Sequence, residues 1–325
     1  MGLARFDRAM NNHNQTTAFA SIIRKHAHSY QNRFEQKAVW PSILVLTKIL
    51  LLLSAAFITY KVSLFGITAG VHRLWSHRAY KATFPLRVFL ACCNSVAYQN
   101  SIFEWARDHR VHHKYTETNA DPVNSARGFF FSHCGWLMCR KHPDVRNIGG
   151  KVDVSDIIND PVVYYQNKYY FPSVLVFCIL LPTLIPWFVW SESLWVAYWV
   201  CVPLRYMAGL HATWFVNSAA HMWGYRPYDT KIAPVENIVV SALTLGEGYH
   251  NFHHTFPWDY STSEWGWSIN LTTMILDQFA KLGWIYDVKK ASREMVLNRM
   301  KRTGDASQHP KGHHVYNGNS HHHEE

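Results

Sequence analysis

The chain has 325 residues, enough for one large domain or two modest ones, and no shift in composition marks a linker between them. Apolar residues make up 48%, and the 14 Trp, 17 Tyr and 18 Phe are the abundance expected where aromatic rings meet a membrane interface or line a pocket. The excess of 32 Lys and Arg over 22 Asp and Glu favours anionic partners such as lipid headgroups, nucleic acid or a phosphorylated substrate. Six cysteines, two adjacent (Cys92, Cys93) and two inside apolar runs (Cys178, Cys201), form neither a disulfide framework nor a metal-type spacing and read as reduced.

Residues 1–37 carry Arg5, Arg8, Arg24, Lys25, Arg33 and Lys37 but no apolar h-region, which argues against a secretory signal peptide. Asp7 is the only acid before Glu35, so a mitochondrial presequence is the alternative to the preferred reading, a solvated basic arm. From Ala38 to Gly70 the chain is mostly apolar, broken by Lys48 and Lys61; at about 20 residues per crossing there is room for one span, about 38–69, before His72. The stretch Phe84 to Phe103 is apolar but includes Arg87, Asn94, Gln99 and Asn100. It is assigned to the interface or to a buried position, because a crossing there would separate the histidine groups on either side.

Tyr170 to Trp190 has no charge, Ser191-Glu192-Ser193 is a polar break, and Leu194 to Leu210 is apolar apart from Arg205. These predict a helical hairpin with spans at 170–190 and 194–215. Its turn lacks Lys and Arg whereas both flanks are rich in them, so the positive-inside rule places the turn in the lumen and the regions 70–169 and 216–306 in the cytosol. The expected fold is an all-α integral membrane protein whose spans are capped by a cytosolic helical domain, the whole occupying residues 38–306, followed by a flexible His-rich tail at 307–325.

Four histidine groups carry the chemistry: His72 with His77, His109 with His112 and His113, the lone His221, and His250 with His253 and His254. On a helix, positions i, i+3 and i+4 share a face, so the second and fourth groups each aim imidazoles at one point. The i, i+5 pair at 72 and 77 fits an α-helix poorly and requires a helix end or a turn. Imidazole suits iron, copper or zinc, and so many are too numerous for one ion, so two metals are implied. His133 and His142 match no such spacing and read as structural or surface residues; His309, His313, His314 and His321 to His323 fall in the polar tail and are set aside.

These residues resemble the membrane fatty acyl-CoA desaturase family, most closely the stearoyl-CoA (delta-9) desaturases of animals. The resemblance covers about residues 60–306 and is carried by Gly66-Ile-Thr-Ala-Gly-Val-His-Arg-Leu-Trp-Ser-His77, by Glu104-Trp-Ala-Arg-Asp-His109 running on through Lys114, by Gly128-Phe-Phe-Phe-Ser-His133, by Asn217-Ser-Ala-Ala-His221 and by Gly246-Glu-Gly-Tyr-His250. It implies that the nine histidines ligate two iron ions, with Asn217 holding a metal-bound water. It also implies that O2 is the co-substrate and that the product is a cis double bond at carbon 9 of a saturated C16 or C18 acyl-CoA. Trp105, Gln99 and Thr213 would surround the bend of an acyl tunnel, Tyr60 and Leu64 its closed end, and Arg107, Asp108, Trp136, Arg140, Lys141, Trp214 and Asn100 the CoA. Small residues are common in the family at the position of Leu64, so a leucine there shortens the tunnel.

The family also implies four spans in the endoplasmic reticulum membrane, so the first hairpin is shortened in this chain. No strand-associated G-x-G-x-x-G and no His-Pro-Gly-Gly haem signature is present, so no bound flavin, haem or NAD is expected. Cytochrome b5 and its NADH-dependent reductase are then the implied electron donors. A membrane hydroxylase with the same histidine groups, or a desaturase-like protein that binds metal or lipid without turnover, are the competing readings. Asn270-Leu-Thr272 is formally a glycosylation acceptor that a cytosolic location leaves unmodified.

Overall fold

The structure, a computed structural model, describes residues 21–26, 28 and 39–307; the early basic arm and the histidines of the tail lie outside the described residues. The chain divides into two units, residues 1–53 and 54–325. In the first, residues 21–26 and 28 are helical and exposed, and helix α1 (Val39–Phe65) begins. Its residues Ile43, Leu44, Val45, Leu46, Leu50 and Leu53 are all exposed, an arrangement that water penalises and a lipid phase does not.

The second unit holds the site. After Phe65 the helix widens into π-turns over Gly66–Ser76, and every one of those residues is buried. The close approach that this allows needs glycine: a Cβ on Gly66 would lie 2.3 Å from the backbone of Cys93 and Asn94 in helix α2 (Phe84–Ala97). Helix α2 starts at Thr83 with a proline in its first turn, buries Leu86, Leu90, Ala91 and Cys93, and exposes Phe84, Val88 and Phe89. Its 14 residues are too few to cross a bilayer, and the one-sided burial agrees with the interfacial or buried position expected for this stretch. Tyr98 ends it in the left-handed conformation (φ 51°), and Asn100 repeats that conformation (φ 70°) before helix α3 (Ile102–Tyr115), whose first turn is capped by the Ser101 hydroxyl accepting from the Glu104 N–H at 3.3 Å.

Two helices among the described residues are long and apolar enough to cross a membrane, Ser42–Ser76 and Tyr170–Trp190. Between α3 and the second lie the short helices α4 (Phe129–His133) and α5 (Pro161–Lys168). The second, α6 (Tyr170–Trp190), contains π-turns at Leu175–Leu180 and a proline at Pro186. A helical run follows through Leu194–Trp199, the π-turns Val200–Leu204 and α7 (Arg205–Asn217). Arg205, the one cation in this apolar run, is 3% exposed and donates to the carbonyls of Cys201 (3.2 Å), Val96 (2.8 Å) and Cys178 (3.1 Å). A guanidinium in apolar surroundings is tolerable only with its donors spent in this way, and here it ties α2, α6 and α7 together.

The remaining elements that matter are α8 (Ala219–Met222), α9 (Ile238–Leu243), α10 (His250–Thr255) and α11 (Leu271–Lys281). The all-α expectation needs one addition: β1 (Lys81–Ala82) pairs antiparallel with β2 (Ile285–Tyr286), pinning the chain just after the π-turns to the segment after α11. The main core runs from Leu64 and Phe65 through the π-turns and α2 to Ile102, Ala106 and Leu276, so the segment bearing His72 is the centre of the packing. All six cysteines are free, as expected. Asn270 is 1% exposed, donates to the Ser261 carbonyl at 2.7 Å and caps α11, so no glycan can reach it.

Candidate metal centre

The π-turns resolve the awkward pair first. A π-turn hydrogen-bonds i to i+5, so residues five apart fall on one face, and the His77 N–H donates to the His72 carbonyl at 3.1 Å. The expected helix end is also there, since His77 caps the segment. On α3, His109 and His113 are one turn apart on one face and His112 is turned away from them; on α10, His250 and His254 meet edge to face with ring centroids 4.5 Å apart and His253 points to the other side.

The nine imidazoles form two groups. His72, His77, His109, His113 and His253 make one, and His112, His221, His250 and His254 the other; within each group the ligand atoms lie within 4.8 Å of one another. In the first, Nε2 of His72 is 2.9 Å from that of His253, His77 is 2.8 Å from His109, and His253 is 3.0 Å from His113. In the second, His250 is 3.1 Å from both His221 and His254. Neighbouring nitrogens around one ion at a metal–nitrogen bond of ~2.1 Å are separated by ~3.0 Å when they meet at right angles, so the spacing fits a shared cation.

Polar contacts outside each group point the lone pairs inward. His72 Nδ1 lies 2.8 Å from Glu247 Oε2, His112 Nδ1 is 2.9 Å from Asp121 Oδ1, and His221 Nδ1 is 2.9 Å from Glu117 Oε1. A carboxylate on Nδ1 fixes the Nδ1–H tautomer, which leaves the Nε2 lone pair for a metal. Lone pairs facing each other at about 3 Å in a buried site repel unless a cation lies between them, so the donor set suits two such ions.

Burial, and then the neighbouring imidazoles, push His77, His109, His113, His250, His253 and His254 well below the ordinary histidine range. They are therefore neutral near pH 7, as a metal requires of them. Burial also lowers His221, although Glu117 pulls the other way. His112 is the exception: burial lowers it, but the charge and hydrogen bond of Asp121, with Glu117 beyond, leave it raised. Burial alone would raise Glu247, but Arg73 and His72 hold it down at about 2.

A cavity of about 190 Å³ opens against this cluster, lined by Gln99, Asn100, Trp105, Asp108, Trp136, Thr213, Trp214 and Asn217 together with His109 and His112. A smaller cavity of about 40 Å³ shares Trp105, His109, His112, Thr213 and Asn217 with it and ends at Leu64, Ile67 and Thr68 beside His72 and His250. Along the shared wall Trp105 stacks on His109 with ring centroids 4.7 Å apart, and Gln99, which lines the larger cavity, donates to the Thr213 hydroxyl at 3.1 Å. Leu64 is 1% exposed, and the Tyr60 hydroxyl donates to the Leu243 carbonyl of α9 at 2.7 Å. On the outer side, a third cavity shares Pro122 and Trp136 with the first and adds Arg127, Arg140 and Lys141. Arg107 pairs with Asp108 at 2.9 Å, and Lys141 pairs with the other oxygen of Asp108. His133 and His142 join neither metal group. His133 hydrogen-bonds His211 and Ser218, each at 3.0 Å, and His142 caps the helix that carries Asp144.

Comparison with known proteins agrees with this geometry: residues 17–281 match the family described as fatty acid desaturase. The chain belongs to the fatty acid desaturase family. It is 56% identical over 252 residues to acyl-CoA desaturase 3 of Mus musculus, covering 78% of this chain and 70% of that protein. It is 60% identical over 246 residues to an acyl-CoA desaturase of Cyprinus carpio (75% of each), and 55% identical over 270 residues to a stearoyl-CoA desaturase of Sus scrofa (83% and 75%).

Four residues around the histidine cluster were not legible from spacing alone: Arg73, Glu117, Asp121 and Glu247. Arg73, fully buried, donates to Glu247 Oε1 at 2.7 Å, to the Tyr260 carbonyl at 2.9 Å and to the Thr273 hydroxyl at 2.9 Å. Arg73 and Glu247 stand inside motifs whose histidines drew the attention, and a charge beside a histidine in a buried segment was the available signal. Asp121 and Glu117 lie in the polar loop after α3, where nothing in the pattern marks them.

Proposed function

We propose that this protein is an acyl-CoA desaturase that uses O2 to introduce a cis double bond at carbon 9 of saturated C16 or C18 acyl-CoA, at a di-iron centre held by the nine histidines and by Asn217 through a water. The observation that supports the reading is a pair of adjoining cavities, the inner one walled by His72, His109, His112 and His250 of the histidine cluster. The methylenes of an acyl chain carry no activating group, so their oxidation needs an oxidant that iron and O2 together supply.

The chain's own residues decide where that oxidant acts. Trp105 and the Gln99–Thr213 hydrogen bond form the bend, Leu64 and Tyr60 close the end, and the distance from the anchored headgroup to the bend selects the carbon. Arg107, Arg140 and Lys141 provide positive charge for the phosphates of CoA, while Asn100, Asp108, Trp136 and Trp214 line its approach. Two hydrogens leave the acyl chain, and with two electrons and two protons from outside, O2 is reduced to two waters. Cytochrome b5, reduced by its NADH-dependent reductase, supplies the electrons at a basic cytosolic face. The protein resides in the endoplasmic reticulum membrane, with 170–190 and 194–215 forming a membrane-crossing hairpin whose turn is lumenal and both histidine regions in the cytosol.

Expression in desaturase-deficient yeast, followed by gas chromatography and mass spectrometry of the fatty acids, tests this. Monounsaturated C16 and C18 acids with the double bond at carbon 9 are expected. A hydroxylated acid would favour the hydroxylase, and no product from protein holding two irons per chain would favour a non-catalytic binder.

A further inference from the structure

The two histidine groups differ in the charge that stands behind them. The four-histidine group has two carboxylates on Nδ1 atoms, Asp121 on His112 and Glu117 on His221. Among the described residues Asp121 otherwise accepts only backbone N–H groups, those of Glu117 and Val123, Glu117 accepts from the Ser125 hydroxyl at 2.6 Å, and neither has an arginine partner. The five-histidine group has one carboxylate, Glu247, and that charge is shared with the fully buried Arg73. A second guanidinium, Arg110, donates to the carbonyls of Trp75 and Ser76 next to His77, with Asp156 as its own partner. His77, His109, His113 and His253 have no carboxylate at ion-pair distance among the described residues.

We infer that the two metal positions are electrostatically unequal, and that Glu117 and Asp121 are positioning residues that set metal retention at the four-histidine position alone. A carboxylate on Nδ1–H raises the basicity of the imidazole and offsets the charge of the cation, and removing one such partner weakens metal binding roughly 10–100-fold. Removing the charge of Glu247 acts on the five-histidine position instead, and it leaves the buried guanidinium of Arg73 there without its carboxylate. The separation follows from the connectivity: no carboxylate touches histidines of both groups. The inference rests on the two-metal reading given above.

Glu117→Gln is the test, because glutamine keeps a carbonyl oxygen for the His221 Nδ1–H and the Ser125 hydroxyl while deleting the charge. The full-length chain in detergent, loaded with Fe²⁺ or with Co²⁺, is dialysed against graded chelator, and metal per chain is measured by inductively coupled plasma mass spectrometry. At a chelator level where the unaltered protein keeps two metals, Glu117→Gln is expected to keep about one, Glu247→Gln about one at the other position, and the double variant about none. Glu117→Gln keeping two, or losing both with its helical circular dichroism unchanged, overturns the inference.

If Glu117→Gln fails to fold, Ser125→Ala decides, since Ser125 touches Glu117 and no histidine. It must change the retention of one metal per chain, and no change overturns the proposal. Unaltered protein that never holds two metals contradicts the two-metal reading itself, so the two failures are distinguishable.

Discussion

Leu64→Ala should lengthen the preferred acyl chain. Leu64 is 1% exposed and caps the small inner cavity beyond the Trp105–Thr213 bend, so its side chain occupies the place a longer substrate would need. Replacing isobutyl by methyl leaves room for about two more methylenes, each worth ~0.8 kcal/mol when buried. The preference should therefore move toward the longer chain by about 1.6 kcal/mol, or roughly fifteen-fold in the ratio of C18 to C16 product. The stability cost should fall at or below the low end of the ~2–5 kcal/mol typical of Leu to Ala in a filled core, because part of this side chain already faces a cavity. The assay is competition between C16 and C18 acyl-CoA in microsomes with the products separated by gas chromatography. An unchanged product ratio with activity retained would refute the reasoning, because it would show that the chain end does not reach Leu64.

Thr213→Val removes the acceptor for Gln99 and costs about 1 kcal/mol of local order at the bend; the expected result is a mixture of double-bond positions, read by mass spectrometry of derivatised products, and a single unchanged position would count against the bend as the selector. Arg205→Met leaves the carbonyls of Val96 and Cys178 without their guanidinium donor in an apolar region, so the apparent Tm in detergent should fall by the equivalent of about 1–3 kcal/mol per orphaned group, less any relaxation; an unchanged Tm would exclude the three-helix tie. Glu236 is buried, its Oε1 accepts from the Phe252 N–H at 2.8 Å and its Oε2 has no partner, and burial pushes its carboxyl up to about 8. A folded value above the unfolded one means that its contribution is fully present below about 4.5 and is lost as pH rises toward 8. Glu236→Gln should accordingly flatten the decline in thermal stability between those limits, and an identical slope in variant and unaltered protein would show that the carboxyl is not neutral in the fold.

Much of the site could be read along the chain. Paired histidines at i, i+3 and i+4 are a local property of a helix, so the groups on α3 and α10 were visible before any folding, and the number of imidazoles implied two metals. That the stretch holding α2 does not cross a membrane was argued from the histidine groups on either side of it, and its helix of 14 residues is too short to cross. The 72 and 77 pair was the weakest element because its solution is not α-helical: it lies in a run of π-turns packed closely against α2 at Gly66, a tertiary arrangement that no local propensity reports. Arg205 in an apolar run was likewise an anomaly until three carbonyls from different elements came to it.

By itself, then, the sequence determined the ligand types and the apolar stretches, which are set by residue chemistry and by periods of a few residues; the expectation that each histidine trio aims at one point gives way to a split, with His112 and His253 each joining the opposite group from their helix neighbours. Only the tertiary structure decided how the nine imidazoles divide into five and four, which carboxylate stands behind which ring, and that two cavities share Trp105 while Leu64 lines the smaller one. Those are relations between residues as far apart as 181 positions, as for His72 and His253, and they depend on which backbones pack closely enough to bring side chains within 3 Å.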